Sequence, residues 1–396
     1  MVRGGLSVRI GKPGPENTFI EPRASEEAYN CNVAFDFVSF SLFIRCVFAP
    51  LRNLIAHRRA RDLRVREMAP FANHVTREIL GHRRRVHSVA WNCAGRKLAS
   101  ASVDTTARVY DVERGGVHSG RDVELKGHGD SVDQVAWDPV SPDRLATISA
   151  DKTLRLWDVR SGGSPIATIN LGDENINLSW TKDGSQIAVG NRNDLFHFID
   201  AKTHKVTHTT SKFPYQVNGA CWNETGDEFV VTTADGFAQV LSFPDLKPLR
   251  QMRGHTSSVY AMALDKVNDR WAFGGADAGV SVWDHHDSVC VGVVDRLNAP
   301  VRAVAFSHDG KFLASGGDDP VIDVADADVD GGATFSAVTQ IQLKSVLHVS
   351  SMAWSPTHHV LAFGGNPGGG RGEGRGGRAV GFGERARLRN NCSDFL

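Results

Sequence analysis

Histidine, hydroxyl and carboxylate side chains recur together along this chain. His82, Ser102 and Asp104 form one set, and His128, Ser149, Asp151 and Trp157 form a second. His255, Asp277 and Trp283 form a third, with Gly275 where the hydroxyl would fall. A histidine, a hydroxyl and a carboxylate are the parts of a hydrolase triad. They are equally the parts of a buried hydrogen-bond network, since hydroxyl and imidazole both give and take protons while carboxylate only accepts. Recurrence decides between the two: a catalytic site has no reason to be copied along a chain, so these sets are expected to be structural.

Other chemistry is mostly excluded. Asp326 to Gly331 (DADVDG) opens like a calcium loop, but its twelfth position is Ala337 rather than the bidentate Glu such a loop needs, and a solvated loop is expected. No P-loop, HExxH or GxSxG motif is present, and the GxG spacings near the C-terminal end lack a strand–turn–helix setting. Six cysteines (Cys31, Cys46, Cys93, Cys221, Cys290, Cys392) include no CxxC pair, which argues against a zinc site and a disulfide-dense fold and suggests a reducing compartment. No catalytic residue, metal, cofactor or small-molecule substrate is expected.

The elements that must carry these residues follow from a repeat. VHSVAW, SVDQVAW, NINLSW, VNGACW, VYAMAL, VRAVAF and VSSMAW end at Trp91, Trp137, Trp180, Trp222, Leu264, Phe306 and Trp354. The steps between these bulky residues are 46, 43, 42, 42, 42 and 48. A period of about 40–45 residues is that of a four-stranded propeller blade. After each bulky residue comes a turn, a short apolar strand, a turn whose Asp is Asp104, Asp151, Asp194, Asp235, Asp277 or Asp319, and a third β-rich run. Alternation over short runs is a strand signal, and no amphipathic helix is expected between 81 and 365. The expected fold is all-β, a seven-bladed propeller. Thr76–Leu80 is expected to close the ring as a borrowed outer strand, because an open ring leaves sheet edges.

Gly127-His128, Ser149, Asp151 and Trp157-Asp158 resemble the WD40 family. The resemblance implies a buried chain from the Trp157 indole to the Ser149 hydroxyl, the His128 ring and Asp151. An unpaired member would cost about 1–3 kcal/mol. The first copy has Tyr110 at the Trp position, and copies three, four and six lack the Gly-His pair and must rely on packing. Trp157-Asp158-Val159-Arg160 also matches the WDxR signature of propellers that serve cullin-type ubiquitin ligases as substrate receptors, so Arg160 is an alternative contact point.

The predicted organisation is an irregular N-terminal extension at 1–74, a propeller at 75–365 and a Gly/Arg-rich tail at 366–396. The blades are placed at about 82–126, 127–170, 171–211, 212–253, 254–295, 296–343 and 344–383, the last closed by 75–80. The chain is neutral overall, with 45 basic and 45 acidic residues, but 81–365 holds 27 basic against 34 acidic while both ends are basic. That distribution argues against direct nucleic-acid binding by the disc. The run at 57–66 (HRRARDLRVR) fits an exposed charged segment, a nuclear-import signal or a phosphate-binding arm. Arg371, Arg375 and Arg378 lie in a tract like the RGG segments that contact RNA, a second alternative for function. The apolar stretch 31–51 contains Asp36 and Arg45, and a central charge in a membrane helix costs about 3 kcal/mol, so no membrane role is expected.

A narrower resemblance rests on phrases specific to single blades: ENINLSW at 174–180, IAVGNRNDLFHFIDAKTHK at 187–205, LSFPDLKPL at 241–249 and PVRAVAFSHDGKFLASGGDDPVIDVADAD at 300–328. With KGHGDSVDQVAWDP at 126–139 and SADKTLRLWDVRSG at 149–162, the chain is similar over about 75–365 to the WD40 subunits of the THO complex, the THO complex subunit 3 family. This resemblance implies a non-catalytic nuclear scaffold for mRNP assembly, mRNA processing and mRNA export. Its expected partners are the other THO subunits and, through the complex, the RNA helicase and export adaptor of the transcription–export (TREX) assembly, with RNA contact mostly indirect. The candidate protein-binding face carries Arg83, Arg84, Arg85, Asp130, Asp133, Glu174, Asn175 and Asn177.

Overall fold

The computed structural model describes residue 71 and residues 75–113, 116–328, 335–343, 346–367 and 378–384. The chain divides into two units, Met1–Leu63 and Arg64–Leu396, and the first lies outside the described residues. The expectations for 1–70, including the apolar stretch and the basic run, also lie outside, as do Arg371, Arg375 and half of the calcium-like loop. Among the described residues no helix is long and apolar enough to cross a membrane.

Short strands, many of them rich in β-branched and small residues, pair antiparallel into four-stranded sheets. The inner strands are Val86–Trp91, Val132–Trp137, Asn175–Trp180, Val217–Trp222, Val259–Asp265, Val301–Phe306 and Val346–Trp354. They contact one another in cyclic order, so the unit is a closed propeller ring. Each inner strand shifts register near its start, as between Val86 and Ser88 or Val132 and Gln134, and the extra residue increases the local twist.

The fold expectation is corrected in its count of like units and at its C-terminal end. Six sheets, not seven, are contiguous units of four consecutive strands, spanning Val86 to Gln342. The remaining sheet is composite: Val346–Trp354, Leu361–Pro367 and Arg378–Glu384 are completed by Val75–Leu80 from the other end of the chain. Val75 faces Glu384 and Leu80 faces Arg378. The Gly/Arg-rich region is therefore not simply a tail beyond 365, because Asn366, Pro367 and residues 378–384 are strand. The physical reason is edge satisfaction: without Arg378–Glu384 the borrowed strand would have no ladder to join. Gly365 fits here because an added Cβ would run into the His348 carbonyl oxygen.

Blade packs on blade through buried Val, Leu, Ile and Ala, with a bulky residue near the end of each inner strand, aromatic in all but the fifth. Three indoles also tie neighbours. Trp137 donates to the Ala90 carbonyl at 2.9 Å, Trp354 to Ala305 at 3.1 Å, and Trp91 to Ala353 at 3.1 Å across the closing seam.

Candidate functional site

The structure brings each Gly-His histidine to its turn aspartate. His128 Nδ1 lies 2.9 Å from Asp151 Oδ2, His82 Nδ1 3.0 Å from Asp104 Oδ2, and His255 Nδ1 2.9 Å from Asp277 Oδ1. The hydroxyl is not the one read from sequence. In the second blade the Trp157 indole donates to Thr147 Oγ1 at 2.8 Å, and His128 Nε2 lies 2.8 Å from the same oxygen. In the first blade His82 Nε2 meets Ser100 Oγ at 2.7 Å. Ser149 and Ser102 are thus corrected out of the chain. Ser149 donates to the Asp130 carbonyl and accepts from the Asp151 amide, while Ser102 donates to the Arg85 carbonyl and accepts from the Asp104 amide. Both hydroxyls fasten the turn backbone.

The fifth blade has Phe273 where the second has Thr147, yet its chain is complete. Ser281 supplies the hydroxyl, 2.9 Å from His255 Nε2 and 2.9 Å from the donating Trp283 indole. Ser281 is the direct cross-strand partner of Phe273, so the hydroxyl has moved sideways by one strand. In the first blade Tyr110 replaces the indole and hydrogen-bonds Ser100, and burial pushes its phenol up to about 12.

The carboxylates hold their charge. Burial pushes Asp151 up, but hydrogen bonds from Thr153, the Gly129 amide and His128 outweigh it and bring the carboxyl down to about 2. Burial likewise opposes and bonds from His82, Thr106 and the Arg83 amide overcome it at Asp104, which ends well below the usual carboxylate range. His128 is lowered, chiefly by burial, against the pull of Asp151. A neutral ring fixes the order of donors: indole to hydroxyl, hydroxyl to Nε2, and Nδ1–H to carboxylate. Every member is occupied with a neighbour in its own blade, so the sets brace blades and present no free nucleophile.

The candidate docking face is only partly a surface. Arg83, Arg84 and Asp130 are exposed. Arg85 is half-buried and reaches across the closing seam to Ser350 Oγ, with Nε at 3.1 Å and Nη2 at 2.9 Å. Asp133 accepts from Ser131 at 2.8 Å, and burial pushes its carboxyl up, helped by Asp130 and Glu174. Glu174 pairs with Arg192 at 2.8 Å. Asn175 and Asn177 are buried and are corrected out of this face. Asn175 occupies the inner-strand position held by Val86, Val132 and Val217 in other blades, and neither amide atom has a hydrogen-bond partner.

Arg160 sits in a short turn, Val159–Ser161, and is exposed, but Asp158 grips it at 2.9 Å and 2.6 Å. A ligase adaptor would have to displace that pair. Arg378 begins the third strand of the composite sheet.

The WD domain, G-beta repeat family matches residues 73–111, 121–158, 246–284 and 289–324. THO complex subunit 3 of Arabidopsis thaliana is 43% identical over 297 residues, covering 75% of this chain and 91% of that protein. WD repeat-containing protein AAC3 of Dictyostelium discoideum is 30% identical over 60% of this chain and 54% of its own length. The Poly(A)+ RNA export protein of Schizosaccharomyces pombe is 22% identical over 64% of this chain and 74% of its own. The near-complete coverage of the plant protein settles the family, and the chain belongs to the THO complex subunit 3 family of WD40-repeat proteins.

Proposed function

We infer that this chain is a non-catalytic scaffold subunit of a THO-type complex acting in mRNA export. The observation that carries this reading is the 43% identity over 91% of THO complex subunit 3. The geometry supports it: the His, Asp and hydroxyl groups are spent inside blades, which leaves loops and rim as the working surface. Binding by such surfaces is dominated by a few anchors.

The chain works in the nucleus, docks on the other THO subunits, and reaches the RNA helicase and export adaptor of TREX through them. The acidic balance of 81–365 favours protein partners over direct RNA contact. Arg83 and Arg84 are the exposed positive pair of the candidate face, whereas Arg85 braces the ring. Co-purification from nuclease-treated nuclear extract tests this. Large THO subunits should be retained in near-stoichiometric amounts, and Arg83→Glu with Arg84→Glu should weaken them while leaving thermal stability intact. Retention of a ligase adaptor or of RNA-dependent partners alone would overturn the assignment.

A further inference from the structure

The turns after the third and sixth inner strands of the propeller carry the same fastening. In the third blade Thr181 donates to Asp183 Oδ1 at 2.7 Å, and the Ser185 amide donates to the same oxygen at 3.0 Å. In the sixth blade Ser307 donates to Asp309 Oδ1 at 2.6 Å, and the Lys311 amide donates to it at 3.3 Å. This fastening uses one carboxylate oxygen. It accounts for Asp309 as a turn residue and leaves two histidine rings unexplained.

Oδ2 of Asp309 faces the composite sheet. There His359 Nε2 lies 3.0 Å away, on the turn between Val346–Trp354 and Leu361–Pro367. His308 packs on His359 with ring centroids 4.8 Å apart. One ligand atom from each of His308, Asp309 and His359 lies within 4.8 Å of the others. All three side chains are half-buried, so the cluster opens to solvent. The matching position to His308 in the third blade is Lys182, whose ammonium turns away to pair with Glu224.

We propose that His308, Asp309 and His359 form a divalent transition-metal site, of the zinc class, that clips the sixth blade to the composite closing sheet. Two imidazoles and a carboxylate suit zinc, and three protein ligands leave a fourth tetrahedral position for water. Metal bonds of about 2.1 Å set ligand atoms about 3.4 Å apart, so the three ligand atoms, now within 4.8 Å of one another, would draw together on binding. The surroundings orient the ligands. Ser307 and Lys311 fix the far oxygen of Asp309, and Phe71, Phe312 and Trp354 wall His359 edge-on at ring separations of 6.2, 5.3 and 6.4 Å. No metal-ligand spacing is visible in residue order because these ligands come from two blades and meet only when the sixth blade packs on the composite sheet.

The untagged full chain is titrated with zinc chloride by calorimetry and, in parallel, with cobalt chloride by visible spectroscopy. One equivalent should bind, with d–d bands from cobalt, and zinc should raise the melting temperature. His308→Ala is the deciding variant, because it removes a ligand while leaving the His359–Asp309 hydrogen bond in place. It should fold with wild-type stability in the absence of metal and lose at least tenfold in zinc affinity, along with the thermal shift. His358→Ala should keep both. Superimposable titrations of wild type and His308→Ala, or loss that follows His358 instead, would overturn the proposal.

Discussion

The second blade and the seam between the third and fourth blades solve one problem with different chemistry. The second blade is held by a polar chain that runs from the Trp157 indole through Thr147 and His128 to Asp151. The third and fourth blades lack a Gly-His pair and pack aromatic rings instead. Trp222 meets Phe229 at 4.9 Å and Phe243 at 4.3 Å, and Phe198 meets Phe229 at 5.5 Å and Trp222 at 5.6 Å. Ring packing is tolerant of which atoms touch, whereas each polar bond must be individually completed. The Trp222 indole nitrogen illustrates the trade, for it is buried without a partner in the aromatic seam, while the Trp157 indole is paired.

The comparison can be broken most easily at its apolar side. Phe229 is fully buried against the rings of Phe196, Phe198 and Trp222, and Phe229→Ala should destabilise the propeller by about 3–5 kcal/mol through lost burial and the cavity left behind. Chemical denaturation would measure it, and a change no larger than that of an exposed substitution would refute the packing account. A smaller effect is expected in the polar blade. Thr147→Val keeps the shape but leaves the indole and His128 Nε2 unpaired, at a cost of about 1–3 kcal/mol. Ser149→Ala should cost less, about 0.5–1.5 kcal/mol, because its hydroxyl serves only the turn backbone. Equal costs at the two positions would restore Ser149 to the chain.

A further effect is in pH dependence. Burial, then the charge of Arg85, lowers His87 on the first inner strand to about 4. The unfolded chain therefore takes up this proton first as pH falls below about 6.5, and stability declines from there towards pH 4. His87→Asn should flatten that part of a melting-temperature profile. The Asp151 contribution lies lower. It is complete above about pH 4 and is lost as the pH falls towards 2, and it should remain in the variant. An unchanged slope between pH 6.5 and 4 in His87→Asn would show that other histidines carry it.

Much of this was legible in residue order. The blade period, the turn aspartates and the histidines before the first, second and fifth inner strands are local signals. The hydroxyl was misplaced by two residues for a physical reason: side chains two apart on a strand point to the same face, so Thr147 and Ser149 are equivalent in pattern. Only the depth of each along the strand separates them. Ser281 lay beyond sequence reasoning altogether, since its role depends on facing Phe273 across a ladder. Asn175 and Asn177 looked like loop polarity because they stand in ENIN, yet the inner strand begins at Asn175 and carries them inside. Arg378 falls both in the Gly/Arg-rich tract and within the bounds of the seventh blade, and the composite sheet assigns its backbone to strand.

That composite sheet also sets a schedule for making the protein. Val75–Leu80 leaves the ribosome early, but its partner Arg378–Glu384 emerges only after all six contiguous blades have been synthesised. Pairings so distant in sequence form slowly, because a long loop must be closed before any contact rewards it. Until then the nascent chain carries open strand edges at both ends, available to chaperones or to wrong partners. Completion of the disc waits on the emergence of Arg378–Glu384.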